Sequence, residues 1–162
     1  MQAVQDRRTD KIVPGTNNRS LHDYANVYIC AKNPMMYKRK DGHTEICVLR
    51  ISPTILDING VIVTDRNAAA SIARFLPART GLAFLDRELI FADDWRHPGD
   101  ERAYLNHRSI KCAEVLVPGR IPPSYIFGAY VSCTRSQTEL SRISSDLKIM
   151  RHPQLFFLEV QP

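Results

Sequence analysis

Short apolar runs broken by Pro, Gly and Asn dominate this chain, and long amphipathic periods are few. Lys111-Cys112-Ala113-Glu114-Val115-Leu116-Val117-Pro118 ends in an apolar, β-branched run bounded by Pro118-Gly119, the pattern of a buried strand that begins at Glu114. Val27–Cys30, Val61–Thr64, Tyr125–Cys133 and Leu155–Val160 also read as strands, with Gly128 marking a bulge. Glu45–Ile51 is almost continuously apolar, which predicts a central strand. Helical spacing is expected in three places. Asp65 can cap a helix that turns Ala68, Ala69, Ile72, Phe75 and Leu76 inward and stops at Pro77. Leu82–Trp95 has apolar residues at helical intervals, and polar residues 100–108 allow a helical turn or two before the chain reaches Glu114. Thr134 and Gln137 form a capping box before Leu140, Ile143 and Leu147. Residues 5–11 resemble the end of a helix closed by Val13-Pro14-Gly15, and Asn33–Tyr37 reads as a loop. Five or six strands and three helices without βαβ alternation give an α+β domain, taken as one unit over residues 1–162.

Composition narrows the class. A chain of 162 residues that is 44% hydrophobic can bury a core, and no run of about 18 apolar residues offers a membrane span. The polar start has no secretory signal pattern. The four cysteines, at 30, 47, 112 and 133, lack the C-x-x-C spacing of zinc or redox motifs. They are read as reduced thiols in a cytoplasmic protein, with no metal site. Lys and Arg outnumber Asp and Glu by 22 to 17, a balance that favours an acidic partner, nucleic acid first. Lys32, Lys38, Arg39 and Lys40 surround Tyr37, an interleaving suited to a single strand; a plain solvated loop is the competing reading. Glu114 is the conspicuous polar residue. A carboxylate entering an apolar strand pays a desolvation cost unless it is paired, whereas one at a strand edge can lean into water.

Several segments in order resemble the DarT family of DNA ADP-ribosyltransferases: His22-Asp23-Tyr24 with Tyr28, Asn33-Pro34-Met35-Met36-Tyr37, Val63-Thr64-Asp65-Arg66-Asn67-Ala68, Asp94-Trp95 and Ala113-Glu114-Val115-Leu116-Val117. The likeness covers about residues 1–133, and its strength lies in the ordered set, no single piece being specific. It implies an ADP-ribosyltransferase-like fold of two small packed sheets with flanking helices. It also implies transfer of ADP-ribose from NAD, the co-substrate, to thymine, in some members guanine, in single-stranded DNA. Such proteins are toxins opposed by a macrodomain antitoxin that removes the mark. Glu114 matches the catalytic glutamate, and the assisting arginine falls on Arg7 or Arg8, with Arg7, Arg8, His22 and Tyr37 placed toward NAD. The segment from about Ala78 to Glu114 would present the DNA, and Lys38, Arg39, Trp95, Arg96 and Tyr104 are candidates to line its groove. The family's opening strand, with its Tyr-His-Ile-Thr-like motif, and the helix after it have no counterpart, so the chain is read as lacking the first strand and helix.

The chemistry suits these residue types. Breaking the nicotinamide–ribose bond builds positive charge on the sugar, as in glycoside hydrolysis, and a fixed carboxylate stabilises it. Arginine holds its proton too tightly to act as a base, so Arg7 or Arg8 would stabilise an anionic base or the NAD phosphates. The base must be unstacked to be reached, which fits a single strand. The competing function is a non-catalytic remnant that binds single-stranded DNA, or only an antitoxin-like partner.

Overall fold

The computed structural model describes residues 11–159. In chain order its strands are β1 (Tyr24–Tyr28), β2 (Val48–Ile51), β3 (Ile62–Thr64), β4 (Phe75–Pro77), β5 (Glu114–Pro118), β6 (Ile126–Val131) and β7 (Lys148–Arg151). Its α-helices are α1 (Pro34–Lys38), α2 (Ala78–Gly81), α3 (Arg87–Phe91), α4 (Glu101–Ile110) and α5 (Thr134–Ile143). Two compact units divide the chain. The first holds Thr54–Ile121 with the described residues up to Cys30, and the second holds Ala31–Pro53 and the chain from Pro122 onward.

The first unit is built on an antiparallel sheet of order β1-β5-β3-β4. β5 is interior, as its apolar run predicts, and pairs Glu114 with Tyr28 and Leu116 with both Asn26 and Ile62. Val13, Leu21, Tyr24, Ala68 and Leu116 make one buried cluster, and Ile90, Ile110 and Ala113 another. α4 is longer than the turn or two expected. Asp100 caps it by accepting from Ala103 N at 2.8 Å, and it leads directly to Glu114.

The second unit carries a sheet of order β2-β6-β7, with β2 antiparallel and β7 parallel to β6, and α5 as the β6–β7 crossover. One extra residue, Phe127, lies between the partners of Arg50 and Ile51, so the bulge expected at Gly128 is present. A Cβ on Gly128 would stand 2.7 Å from the Lys148 carbonyl oxygen, a distance that excludes a side chain there.

Several expectations are corrected. Residues 65–74 are a loop between β3 and β4, since Asp65 and the backbone N–H groups it would cap are used by tertiary partners described below. Leu82–Trp95 breaks into a 3₁₀ turn and α3, because Asp86 caps a fresh helix through Leu89 N at 3.0 Å. Asn33–Tyr37 is no loop. The Asn33 side chain accepts from Met35 N and Met36 N, and Pro34, with its fixed φ, starts α1. The strand within Glu45–Ile51 is the edge of its sheet, and Leu49 is exposed; an apolar run does not by itself distinguish an edge from a centre. α5 has Cys133 at its N-cap without a side-chain cap, and Thr134 Oγ1 instead accepts from Arg151 Nη1 at 2.9 Å. Ile143 is 81% exposed and Leu147 lies beyond the helix, so neither lines an inner face of α5. The last strand is Lys148–Arg151. Pro153–Phe156 forms a 3₁₀ turn ended by left-handed Phe157 (φ 60°), with Phe156 as a buried plug. The segment 5–10, including Arg7 and Arg8, lies outside the described residues. Among the described residues no helix is long and apolar enough to cross a membrane.

Candidate active site

Glu114 opens β5 in the interior of the first sheet and is fully withdrawn from solvent. Its carboxylate is held from two sides. Oε2 accepts from Asn26 Nδ2 at 2.6 Å, and Oε1 accepts from the backbone N–H of Ala68 at 2.9 Å. Asn26 reaches it because it stands opposite Leu116 on β1, diagonal to Glu114 on the same face of the sheet. The Glu114 backbone is fixed as well: its N–H donates to Thr64 Oγ1 at 3.2 Å, and that hydroxyl donates to Arg66 O at 2.7 Å.

The loop that supplies Ala68 N–H is itself pinned. Asp65, buried, accepts from Arg74 N at 2.9 Å and pairs with Arg74 Nε at 3.0 Å and Arg66 Nη2 at 3.2 Å. Burial pushes the Asp65 carboxyl up, but the Arg74 N–H and the two guanidinium groups outweigh it and hold it below the usual carboxylate range. Asn67 Oδ1 accepts from Ala69 N at 2.9 Å, while Arg66 Nη1 and Asn67 N tie the loop to α4 through Asn106 and Ser109. Lys11 donates to the Ala70 carbonyl and lies 5.2 Å from the Phe75 ring centroid. Burial pushes its ammonium below its ordinary value, and the negative charge of Glu114 pulls it back up.

Behind the strand, Lys111 is 1% exposed and makes no ion pair among the described residues. Its ammonium donates to Ile90 O at 2.9 Å and Ala92 O at 2.7 Å, satisfying the carbonyls left open at the C-terminus of α3. The same group stands 5.8 Å from the Trp95 ring centroid. His107 on α4 meets Leu89 O through Nε2 at 2.9 Å. A carbonyl only accepts, so Nε2 carries a proton, and Nδ1 shares a hydrogen bond with His97 Nε2 at 2.9 Å. The chain between Leu89 and His97 is therefore anchored to the segment that leads into Glu114.

The other expected site residues fall in both units. His22 is exposed in a 3₁₀ turn before β1, beside Pro118 at the far end of the β1–β5 pair, roughly 13 Å of strand from Glu114. Tyr37 and Lys38 belong to α1 of the second unit and Arg39 is its C-cap; all three are exposed, with Lys40 Nζ 4.6 Å from the Tyr37 ring centroid. Trp95 is buried against Lys111, so its ring packs inside the first unit and does not present a free face to a base. Arg96 is exposed, but Asp94 takes its guanidinium at 2.7 and 2.9 Å, and that contact holds the Asp94 carboxyl well below its ordinary range. Arg96 and Tyr104 share a shallow depression of ≈ 540 Å³ with His97 and Asp100. A second depression, ≈ 610 Å³, is lined by residues 14–17, β3 and β4 and does not include Glu114. Sequence reading missed Asn26, Lys11 and the Asp65–Arg74 pairing. Asn26 had a signal, as a polar residue within a strand, but its diagonal relation to Glu114 requires the register.

A buried carboxylate opening an interior strand, on an α+β scaffold with two small sheets, is the class of an ADP-ribosyltransferase-like fold. Comparisons with known proteins make the assignment specific. The family model described as "ssDNA thymidine ADP-ribosyltransferase, DarT" matches residues 1–157. The DNA ADP-ribosyl transferase of Thermus sp. (strain 2.9) is 32% identical over 161 residues, covering 94% of this chain and 74% of that protein. The solved structure of Thermus sp. 2.9 DarT in complex with ADP-ribosylated ssDNA aligns at a TM-score of 0.80, with 28% identity, over 95% of this chain and 78% of that one. Its complex with NAD+ aligns at 0.77, with 27% identity, over 92% and 80%. A DNA ADP-ribosyl transferase–DNA ADP-ribosyl glycohydrolase fusion protein of Thermosipho africanus is 29% identical over 151 residues, covering 88% of this chain and 37% of the fusion. The chain belongs to the DarT family of ADP-ribosyltransferases.

Proposed function

We propose that this protein transfers ADP-ribose from NAD to a base, thymine, in single-stranded DNA, with Glu114 as the catalytic carboxylate. The observation that carries the reading is the double anchoring of Glu114 by Asn26 Nδ2 and Ala68 N–H in the interior of the sheet. A carboxylate fixed in this way needs no reorganisation when positive charge develops on the ribose, which is the condition for electrostatic stabilisation of such a transition state.

NAD as co-substrate and single-stranded DNA as acceptor are supported by the complexes solved for the Thermus relative. The fusion of a DNA ADP-ribosyl glycohydrolase to the Thermosipho relative supports a toxin role, in which a partner with that activity, of macrodomain type, removes the mark. Arg7 or Arg8 is assigned to the base or the NAD phosphates, on the family likeness alone. The test is NAD-dependent labelling of a thymine-containing oligonucleotide by the wild-type chain and by Glu114→Gln. Labelling by the wild type that falls about 10²- to 10³-fold in the variant is expected, the scale set by loss of one charge-stabilising group. Equal labelling by both would remove Glu114 from the chemistry. Tight oligonucleotide binding with no labelling by the wild type would leave a DNA-binding remnant.

A further inference from the structure

The sheet of the second unit has a face that the proposed reaction does not use. Arg50, Gly128 and Lys148 form one row across its three strands, and Val48, Tyr130 and Met150 form the next row on the same side. Gly128 leaves a dip in the middle of the first row, and Arg50 lies across it: a Cβ on Gly128 would be 3.3 Å from Arg50 Cδ. The guanidinium is stacked between two rings, 4.5 Å from the centroid of Phe127 and 4.9 Å from that of Tyr130. The extra residue of the β6 bulge is Phe127 itself. His152 meets the Tyr130 ring edge-on at 5.3 Å and Arg50 Nη1 reaches Met150 Sδ at 3.3 Å, so the cluster is held on both sides. Phe127 is 47% and Met150 40% exposed, and Lys148 is exposed.

Arg50 is thus fixed in its plane by aromatic contact, while among the described residues its five donors meet only a thioether, a weak acceptor. Neither it nor Lys148 forms an ion pair among the described residues. An arginine that serves only to hold a fold is normally satisfied by a carboxylate or carbonyls; one oriented by rings and left without an anion is prepared to receive one. An exposed aromatic face beside such a cation is the combination that holds single strands, in which a base stacks and the neighbouring phosphates are neutralised. The chain's charge favours the same occupant. The second unit contains nine Lys and Arg against five Asp and Glu, so it carries four of the five net positive charges.

We propose that this sheet face is a docking platform for single-stranded DNA, built from the second unit alone, in which Arg50 and Lys148 engage phosphates and Phe127 stacks a base. The proposal rests on the reading of single-stranded DNA as substrate and adds a second place at which the strand is held. The test compares strands of about 20 and about 5 nucleotides, since site sizes of small single-strand binders run from about 4 to 16. The proteins are the full chain and its variants Lys148→Glu, Phe127→Ala and Arg50→Gln, checked for wild-type thermal melting. Lys148→Glu changes an exposed side chain and keeps the test informative if Arg50→Gln fails to fold. Each variant is expected to weaken binding of the long strand roughly 5- to 10-fold, the low end of the loss on removing one stacking residue. The salt slope should fall by about 0.7 for each phosphate contact removed. NAD-dependent labelling of the short strand at saturation should stay within about twofold, as expected of groups that do not touch the reacting centre. Wild-type affinity and salt slope for the long strand in both Lys148→Glu and Phe127→Ala would overturn the proposal. A charge effect without a Phe127 effect would also overturn it, by making the face a general anion surface that an acidic peptide would occupy equally well. A wild-type chain that binds the long strand through these residues yet labels no DNA leaves the platform standing and removes the transfer reading.

Discussion

Asn26→Ala is the substitution that most directly separates anchoring from chemistry at Glu114. The amide donates to Oε2 at 2.6 Å, a short charge-assisted contact, from a strand position whose backbone is locked by pairing with β5. Hydrogen bonds to charged groups contribute about 1.5–3 kcal/mol, so their loss corresponds to roughly a 10- to 150-fold effect if all of it is felt in the transition state. The Ala68 N–H remains, and so does the carboxylate, so the variant should keep some activity where Glu114→Gln keeps almost none. The assay is kcat/KM for NAD-dependent labelling of a thymine-containing strand at 25 °C, with the melting temperature measured in parallel. Stability should fall by no more than about 3 kcal/mol, or roughly 6–12 °C for a chain of this length, leaving the variant folded under assay conditions. The expected result is a fall of at least about tenfold in kcat/KM, carried mainly by kcat. Activity within about twofold of wild type, alongside an inactive Glu114→Gln, would show that the amide does not orient the carboxylate and refute the reasoning.

Two further predictions concern the groups that support the site. Lys111→Met should destabilise the chain by about 2–5 kcal/mol, because it leaves Ile90 O and Ala92 O buried without their donor; a midpoint of urea unfolding that does not move would contradict this. Asp65→Asn should cost about 1–3 kcal/mol near neutral pH by weakening its contacts with Arg66 and Arg74. The folded Asp65 carboxyl lies below its ordinary value of 3.8, so its contribution is full above that value and is lost as pH falls through the folded value. The stability gap between wild type and Asp65→Asn, followed by urea titration from neutral pH downward, should therefore close below about pH 4. A gap that widens in acid would contradict the assignment.

What the sequence could disclose follows the range of the forces involved. The strand at Val115–Val117 and the bulge at Gly128 were legible because apolar runs and glycine act locally. The α+β class needed only the absence of βαβ alternation. Glu114 is legible as a carboxylate opening an apolar strand, but the sequence leaves a paired buried group and a solvent-facing edge both open, and it is the structure that shows the group buried. Asn33–Tyr37 was misread because the Pro34 that suggests a loop also starts a helix well once Asn33 caps it. Trp95 is a candidate for the DNA groove on its aromatic type and its place in a family-like segment, whereas the structure buries it with Lys111 Nζ, sixteen positions later, 5.8 Å from its ring centroid. Asn26 lies 88 residues from Glu114, and only the pairing register connects them.

The loop at 65–74 shows why a locally sound prediction gave way. A helix capped by Asp65 would have placed Ala68 N–H, at its third position, on the Asp65 carboxylate. The structure gives that same N–H to Glu114 and gives Asp65 to Arg74 and Arg66. Two demands competed for one donor. A cap contributes about 1 kcal/mol, while a buried carboxylate deprived of a hydrogen bond loses about 1–3 kcal/mol or more. Pairing of Thr64 with Phe75 then closes the segment as a β3–β4 connection, which removes the geometry a helix needs. The helix is lost where the buried carboxylate requires a donor, so the failed prediction itself marks the residues that build the site.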